Sequence, residues 1–459
     1  MYKKILLVSP ASRVATMADV HPPLNLGYIA GYLEKHNIEV RIVDEHVGHD
    51  IKKEIKAFMP DIVGVTATTP LALEAYRIAG IARDAGCITV MGGRHASILP
   101  SEALEHVDMV VVGEGEKAMM KIVNGSVDKI VKSDYVKDLD ELPPPAWHLM
   151  NMEHYLTVRK KDRYSRTHLY FIPPDMRVGA HVTMRGCPYS CVFCYNSWKD
   201  APLRFHSAQR VTSDLIYLVE KYKVQAMFFM DDDMFAHKKR LKEICRLMKE
   251  NKINIIWGCQ AKVDSINLEL LEIAKEAGCR QVGFGFESGS QRILNILKKG
   301  RTTVEQNAEA IRLCKKAGIL SFASFMVGNP TEEIDDLEAT YRFVKEHDID
   351  MVGAMITTPY PGTELWDWCK KNNLIPEKVD WSMYTTAEES VSACNTIAAS
   401  TIRKYKDNIE FCKRPLTIQE ILGKIWESPL LLLALFKNPR NALSYLLNTK
   451  FIRNLTFRH

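Results

Sequence analysis

Cys187, Cys191 and Cys194 stand in the run Arg185-Gly-Cys-Pro-Tyr-Ser-Cys-Val-Phe-Cys-Tyr195, with the spacing C-x3-C-x2-C. Thiolate is the soft ligand that iron–sulfur clusters take, and three thiolates on one short loop can hold three irons of a cubane. An ordinary cluster site supplies four cysteines, so a set of three leaves one iron open to a substrate or cofactor. A zinc knuckle needs a fourth Cys or His at matching spacing, and His181 and His206 stand at none. The remaining alternative is three unrelated thiols.

A loop of this kind needs a scaffold. From His181 onward, short apolar runs alternate with helical patterns. Strands are expected at His181–Met184, Ala226–Met230, Ile255–Gly258, Gln281–Gly285, Leu320–Val327 and Met351–Thr357, with helices between them. Six βα units are short of a full eight-stranded barrel, and the active groups of such a series belong at the carboxyl ends of the strands. The cysteine loop follows the first strand. Asp231-Asp-Asp-Met-Phe235, Lys262, Gly285-Phe-Glu-Ser-Gly289, Val327-Gly-Asn-Pro-Thr-Glu332 and Thr358-Pro-Tyr-Pro-Gly-Thr-Glu-Leu365 follow the others in order.

The first third has its own βα series. Ile5–Ser9, Val40–Val43, Ile62–Thr66, Ile88–Met91 and Met109–Val112 are short and rich in β-branched residues, as buried parallel strands are. Helical periodicity at Leu24–His36, Leu71–Ala85 and Glu116–Val123 completes a doubly wound, Rossmann-like sheet, with ligands expected at the strand carboxyl ends. The loops there are small and polar: Thr66-Ala-Thr-Thr69, Gly92-Gly-Arg-His95 and Gly113-Glu-Gly-Glu116. Gly92 and Gly93 allow a backbone to lie close to a ligand. No G-x-G-x-x-G follows the first strand, which argues against an NAD site.

C-x3-C-x-aromatic-C, with Phe193 at the aromatic position, resembles the signature of the radical S-adenosylmethionine (SAM) superfamily. The resemblance covers roughly residues 1–415 and extends to the cobalamin-containing members, among them the anaerobic magnesium-protoporphyrin monomethyl ester cyclases and radical SAM C-methyltransferases. It implies an α/β chain: a Rossmann-like cobalamin-binding domain at 1–135, a proline-rich linker and lead-in at 136–178, a partial (β/α)6 radical SAM barrel at 179–400 and a helical basic region at 401–459. The implied cofactors are a [4Fe–4S] cluster on Cys187, Cys191 and Cys194, SAM on its open iron, and cobalamin. Phe193, Asp232, Glu287 and Ser288 are the expected SAM contacts. Thr66, Thr69, Gly92, Gly93, Glu114 and Gly115 are the expected cobalamin contacts. Asp44-Glu-His-Val-Gly48 departs from the D-x-H-x-x-G of the cobalamin mutases in spacing and follows the second strand, so His46 is read as a loop histidine. The implied reaction is methylation of an unactivated carbon. Radical cyclisation of a tetrapyrrole or lipid-like substrate is the alternative, and a SAM-binding iron–sulfur protein without turnover the non-enzymatic one. A flavodoxin- or ferredoxin-type one-electron reductant is the implied partner.

Composition agrees with a globular protein: 459 residues, 46% hydrophobic and 25% charged, with a net charge of +5 that gives no argument for nucleic acid. Eleven cysteines without framework spacing fit a reducing, cytoplasmic setting. The N-terminal apolar run is too short for a signal peptide, and no stretch reaches the ~18 apolar residues of a membrane span. In the tail, Leu430-Leu-Leu-Leu-Ala-Leu-Phe436 lies among Lys424, Lys437, Arg440, Lys450, Arg453 and Arg458, against Glu420 and Glu427. An apolar, basic segment of this kind reads as a peripheral contact at the inner membrane face, or as a helical cap on the barrel.

Overall fold

The structure, a computed structural model, describes residues 2–11, 21–132, 134–161, 169, 172–173, 175–195, 202–386 and 391–412. The apolar and basic run after 413 lies outside the described residues. Among the described residues, no helix is long and apolar enough to cross a membrane.

The N-terminal unit runs β1 (Lys4–Ser9), α1 (Leu24–Lys35), β2 (Glu39–Asp44), α2 (Ile51–Phe58), β3 (Ile62–Thr66), α3 (Ala72–Asp84), β4 (Ile88–Gly92), α4 (Arg94–Ile98), α5 (Pro100–Ala103), β5 (Met109–Val112), α6 (Gly115–Val123) and β6 (Ile130–Lys132). Its strands are all parallel, in the order β2-β1-β3-β4-β5-β6. The order reverses between β1 and β3, which puts the ligand crevice of such a sheet at their carboxyl ends. The five expected strands form. β6, α2 and the short helices α4 and α5 are additional. Ile51, Ile55 and Phe58 of α2 repeat at helical spacing and are buried, but the lysines between them mask the pattern in the sequence.

The second unit runs α7 (Met152–Lys161), β7 (Val178–His181), β8 (Met184–Arg185), β9 (Arg204–Phe205), α8 (Ala208–Tyr222), β10 (Ala226–Phe229), α9 (Lys238–Glu250), β11 (Ile256–Ala261), α10 (Leu268–Glu276), β12 (Cys279–Glu287), α11 (Gln291–Lys298), α12 (Val304–Ala317), β13 (Leu320–Val327), α13 (Ile334–Glu346), β14 (Met351–Ile356), α14 (Glu364–Lys371) and α15 (Ala399–Phe411). β7, β10, β11, β12, β13 and β14 form a parallel sheet in that spatial order, open between β7 and β14. Helix starts are fixed locally: Ser207, Asn267, Ser290, Thr303 and Thr363 each accept the N–H three residues on, and Thr303 and Gln306 close a capping box.

The first barrel strand differs from the expected His181–Met184. Pairing covers Val178–His181 and then stops, because the Asp231 carboxylate accepts the Thr183 and Met184 N–H groups at 2.6 and 3.1 Å. The chain therefore leaves the sheet, and β8 pairs with β9 in an antiparallel ribbon at the base of the cysteine loop.

The proline-rich join is a packed strap. Val136, Leu139, Leu142, Ala146 and Trp147 are all buried. Gly27 and Gly31, one turn apart on α1, leave room for it: a Cβ on Gly31 would lie 2.6 Å from the Pro144 carbonyl. Asp140 accepts from Ser207, and Arg210 donates to the Leu142 carbonyl, so the strap binds the barrel as well.

Candidate functional site

The cysteine loop is held at its middle. The Val192 N–H donates to the Leu297 carbonyl at the end of α11 (3.0 Å), and the Val192 carbonyl accepts the Leu365 N–H at the start of α14 (2.9 Å). Phe193 packs beside Leu365, Cys369 and Ala393. It thereby anchors the loop on α14. Cys191 and Cys194 flank this anchor, and the Cys194 N–H donates to the Cys191 carbonyl (3.1 Å). Desolvation pushes the Cys194 thiol up to about 11, with Cys191 adding to the rise, and burial also raises Cys187. Lys262 stands beside them, its Nζ 4.5 Å from the Tyr189 ring centre. Burial opposes its charge, but Cys191, Cys187 and Glu287 around it raise its pKa on balance. All eleven cysteines are free thiols. Among the described residues, no three His, Cys, Asp or Glu side chains are gathered as one metal ion requires. Cysteines that ligate different corners of a cubane need no such gathering, so three thiols spread over one turn beside a compensating cation fit a cluster better than a zinc ion.

Next to the loop, a cavity of about 330 Å³ opens at the ends of β10, β11 and β12, lined by Phe228, Met230, Asp231, Asp232, Gln260, Lys262 and Gly285. The three consecutive aspartates divide their work. Asp231 is buried and holds the start of β8, while Asp233 is buried and accepts from the Ser265 hydroxyl and the Phe235 N–H. Of the three, only Asp232 is exposed, at the cavity that buried Asp231 also lines. The protein around it raises its pKa by desolvation, and the Arg94 guanidinium from the start of α4 opposes that rise. Asp232 therefore presents its carboxylate to the cavity.

At the end of β12 the expectation divides. Glu287 has φ 65°, an uncommon conformation for a residue with a side chain, and its carboxylate lies 3.4 Å from Lys298 Nζ. It remains beside the cysteines and Lys262. Ser288 is fully buried; its hydroxyl meets that of Thr340 at 3.1 Å and accepts the Ser290 N–H at 3.0 Å. It closes the turn onto α13 and is not presented to a ligand.

In the N-terminal unit, Thr66 ends β3 at the crevice, where its Oγ1 accepts from Asn25 Nδ2 at 3.0 Å. Gly92 ends β4 beside it. Thr69 is buried, its Oγ1 3.4 Å from His95 Nδ1. Gly93 has φ 93°, and a Cβ there would lie 2.7 Å from the Ala67 carbonyl; the chain's own backbone requires this glycine. Gly115 likewise faces Ile29 of α1, with 2.5 Å to an added Cβ. Glu114 is buried and bonded to Arg185 and Arg204 of the β8–β9 ribbon. Glu114 and Gly115 thus take part in packing between elements. His46 sits in a turn after the edge strand β2, its N–H on Asp44 at 2.9 Å. Thr66 and Gly92, paired at the ends of β3 and β4, put small residues at the carboxyl edge of the sheet, where ligands of this fold bind.

The pattern of the radical SAM superfamily matches residues 181–344, and that of the B12 binding domain matches residues 11–123. An uncharacterized methyltransferase of Pyrococcus horikoshii is 34% identical over 416 residues, covering 84% of this chain and 87% of the relative. The chain belongs to the cobalamin-dependent radical SAM enzymes. Its cofactors are a [4Fe–4S] cluster, SAM and cobalamin. The anaerobic magnesium-protoporphyrin IX monomethyl ester cyclase of Rubrivivax gelatinosus is 28% identical over 402 residues, covering 79% of this chain and 69% of the cyclase. The cobalamin-dependent SAM radical enzyme OxsB, solved with aqua-cobalamin and SAM bound, shares the fold with a TM-score of 0.72 at 18% identity, over 99% of this chain and 71% of that one.

Three polar residues of this radical SAM enzyme's site were not among the expected contacts. Gln260 precedes Lys262 by two on β11 and shares its face, so strand alternation would have found it. Arg94 lies inside the Gly92-Gly-Arg-His95 segment, but only the glycines had been singled out. Lys298 comes from the last turn of α11, where nothing in the sequence marks a partner for Glu287.

Glu332, in the segment after β13, adds a pH dependence. Its carboxylate accepts the Gly328 and Asn329 N–H groups and the Asn329 amide, yet burial prevails and pushes it up to about 7. Its ordinary value is 4.5, so between these values the native chain holds a proton that the unfolded chain lacks. Stability therefore falls as pH rises through that window. Thermal midpoints of wild type and Glu332→Gln, compared from about pH 5 to about pH 8, should move apart in favour of the glutamine variant as pH rises. A constant gap would remove Glu332 as the titrating group.

Proposed function

We propose that this enzyme methylates an unactivated carbon of a small apolar molecule. The observation that carries the reading is that Asp232 and Lys262 line one cavity and both act electrostatically on the loop cysteines, in a chain that also has the cobalamin-type sheet. Cys187, Cys191 and Cys194 would hold three irons, and Asp232 would accept from the ammonium group of SAM. Lys262 would offset thiolate charge, and Glu287, beside it, would face the ribose. Together the bound cofactors supply a 5′-deoxyadenosyl radical and a transferable methyl group, while the chain orients them and excludes water. An external one-electron reductant feeds the cluster. Phe228 and Met230, the latter exposed in the cavity, favour an apolar substrate surface.

The test uses anaerobically reconstituted protein with hydroxocobalamin, dithionite and SAM carrying a deuterated methyl group, incubated with aqueous and organic extracts of the source cells. Expected are 5′-deoxyadenosine, S-adenosylhomocysteine and a trideuteromethylated product in the organic fraction. 5′-Deoxyadenosine with no label in any product would favour cyclisation, and label confined to the aqueous fraction would reject the apolar substrate. The basic, leucine-rich tail would bring such a substrate from a membrane surface, each basic residue contributing roughly 1 kcal/mol near anionic lipid. Full-length protein should then sediment with anionic liposomes at low salt, and a chain ending at Lys413 should not. Equal behaviour of the two would reject the membrane role.

A further inference from the structure

The two arms of the cysteine loop leave and re-enter the structure at Arg185 and Arg204, which face each other in the β8–β9 ribbon. Both reach into the N-terminal unit and meet on one carboxylate. Glu114 Oε1 lies 3.0 Å from Arg185 Nη1 and 2.8 Å from Arg204 Nη1, while Glu114 Oε2 accepts the Val136 N–H at 2.7 Å. Glu116 takes the other side of the Arg185 fork at 2.6 Å. The Tyr28 ring lies under Arg185, 5.3 Å from the guanidinium carbon. Glu114, Glu116 and Arg204 are buried and Arg185 nearly so, with side-chain exposures of 2%, 3%, 3% and 15%. Two carboxylates balance two guanidiniums, in bonds whose geometry only one docking of the two units satisfies.

We propose that Glu114 and Glu116 are positioning residues for the iron–sulfur loop. They hold its two arms against the N-terminal unit, so that ordering the cluster ligands and docking the cobalamin-type sheet are a single equilibrium. Neither carboxylate touches a reacting atom. This goes beyond the methylation reading and rests only on the cysteine loop being the cluster site.

The experiment uses full-length protein carrying Glu114→Gln, Glu116→Gln or Arg185→Lys. Hydrogen exchange of the arm peptides around 182–186 and 203–207 is followed in cluster-free protein. Iron release to a ferrous chelator and hydroxocobalamin retention are followed after reconstitution. Glu114→Gln should exchange at both arms and release iron about tenfold faster or more, because both guanidiniums lose a charged partner. Glu116→Gln should affect the Arg185 arm more than the Arg204 arm. Corrinoid retention should fall only where the arms also lose protection, since the clamp itself makes no cofactor contact. Arg185→Lys keeps the charge and loses the fork, so it carries the test if Glu114→Gln fails to fold. Unchanged exchange in both variants would overturn the proposal, as would corrinoid loss with undisturbed arms, which would make Glu114 a cofactor contact. Because exchange is read without a cluster, it decides the clamp even if wild type takes up no iron.

Discussion

Alanine at Cys187, Cys191 and Cys194 together is expected to leave a folded protein that takes up no [4Fe–4S] cluster and cleaves no SAM. The loop is held by Val192 through Leu297 and Leu365 and by Phe193 in its apolar seat, none of which depends on the thiols. Circular dichroism should therefore match wild type, while iron and sulfide analysis after anaerobic reconstitution should fall to background. The control is single replacement of Cys245, Cys259 or Cys279. These are fully buried, Cys245 on α9, Cys259 on β11 and Cys279 on β12, and desolvation pushes Cys245 up to about 12 and Cys259 well above its ordinary value. Thiols packed in the core cannot reach an assembling cluster, so each single variant should keep its cluster. A cluster in the triple variant, or its loss in one of the controls, would move the ligand assignment elsewhere.

The neighbouring aspartates should separate binding from folding. Asp232→Ala should retain the wild-type thermal midpoint and cluster content. Its SAM affinity should fall about ten- to hundredfold, corresponding to one charge-assisted hydrogen bond of about 1.5–3 kcal/mol. Asp231→Ala should behave in the opposite way. It strips the acceptor from the Thr183 and Met184 N–H groups and from the Thr183 hydroxyl, and removes a charge that balances buried Arg240. Leaving that set unpaired inside the protein should cost about 3–5 kcal/mol and release the ribbon that carries the cysteine loop. Thermal midpoints and SAM titration of the two variants check both halves. Equal loss of SAM affinity with equal stability would show that the side chains are not divided as the structure has them.

Much of this enzyme is written locally in its sequence. Parallel strands buried on both faces appear as apolar runs, and helices between them appear as 3.6-residue periodicity, so both βα series can be read from the chain alone. The cysteine spacing likewise names a ligand set, because three thiolates on one loop are neighbours whatever surrounds them. The acidic run at 231–233 marks the end of a strand in the same way. What each side chain does there depends on partners distant in sequence. Asp231 and Asp233 are turned inward by Thr183, Met184 and Ser265, which leaves Asp232 for the cavity. Ser288 bonds Thr340, 52 residues away, and so closes a turn. Glu114, a polar residue at the end of a strand, read as a cofactor contact; Arg185 and Arg204, 71 and 90 residues further on, claim it for the joint between the units. The prolines of the join read as a spacer until the glycine face of α1 is seen beneath them. Local pattern fixes which elements form and where their polar ends fall, because it depends on backbone geometry and burial period. The choice among several polar groups at one end follows from desolvation and charge balance, and those exist only after the two units have packed.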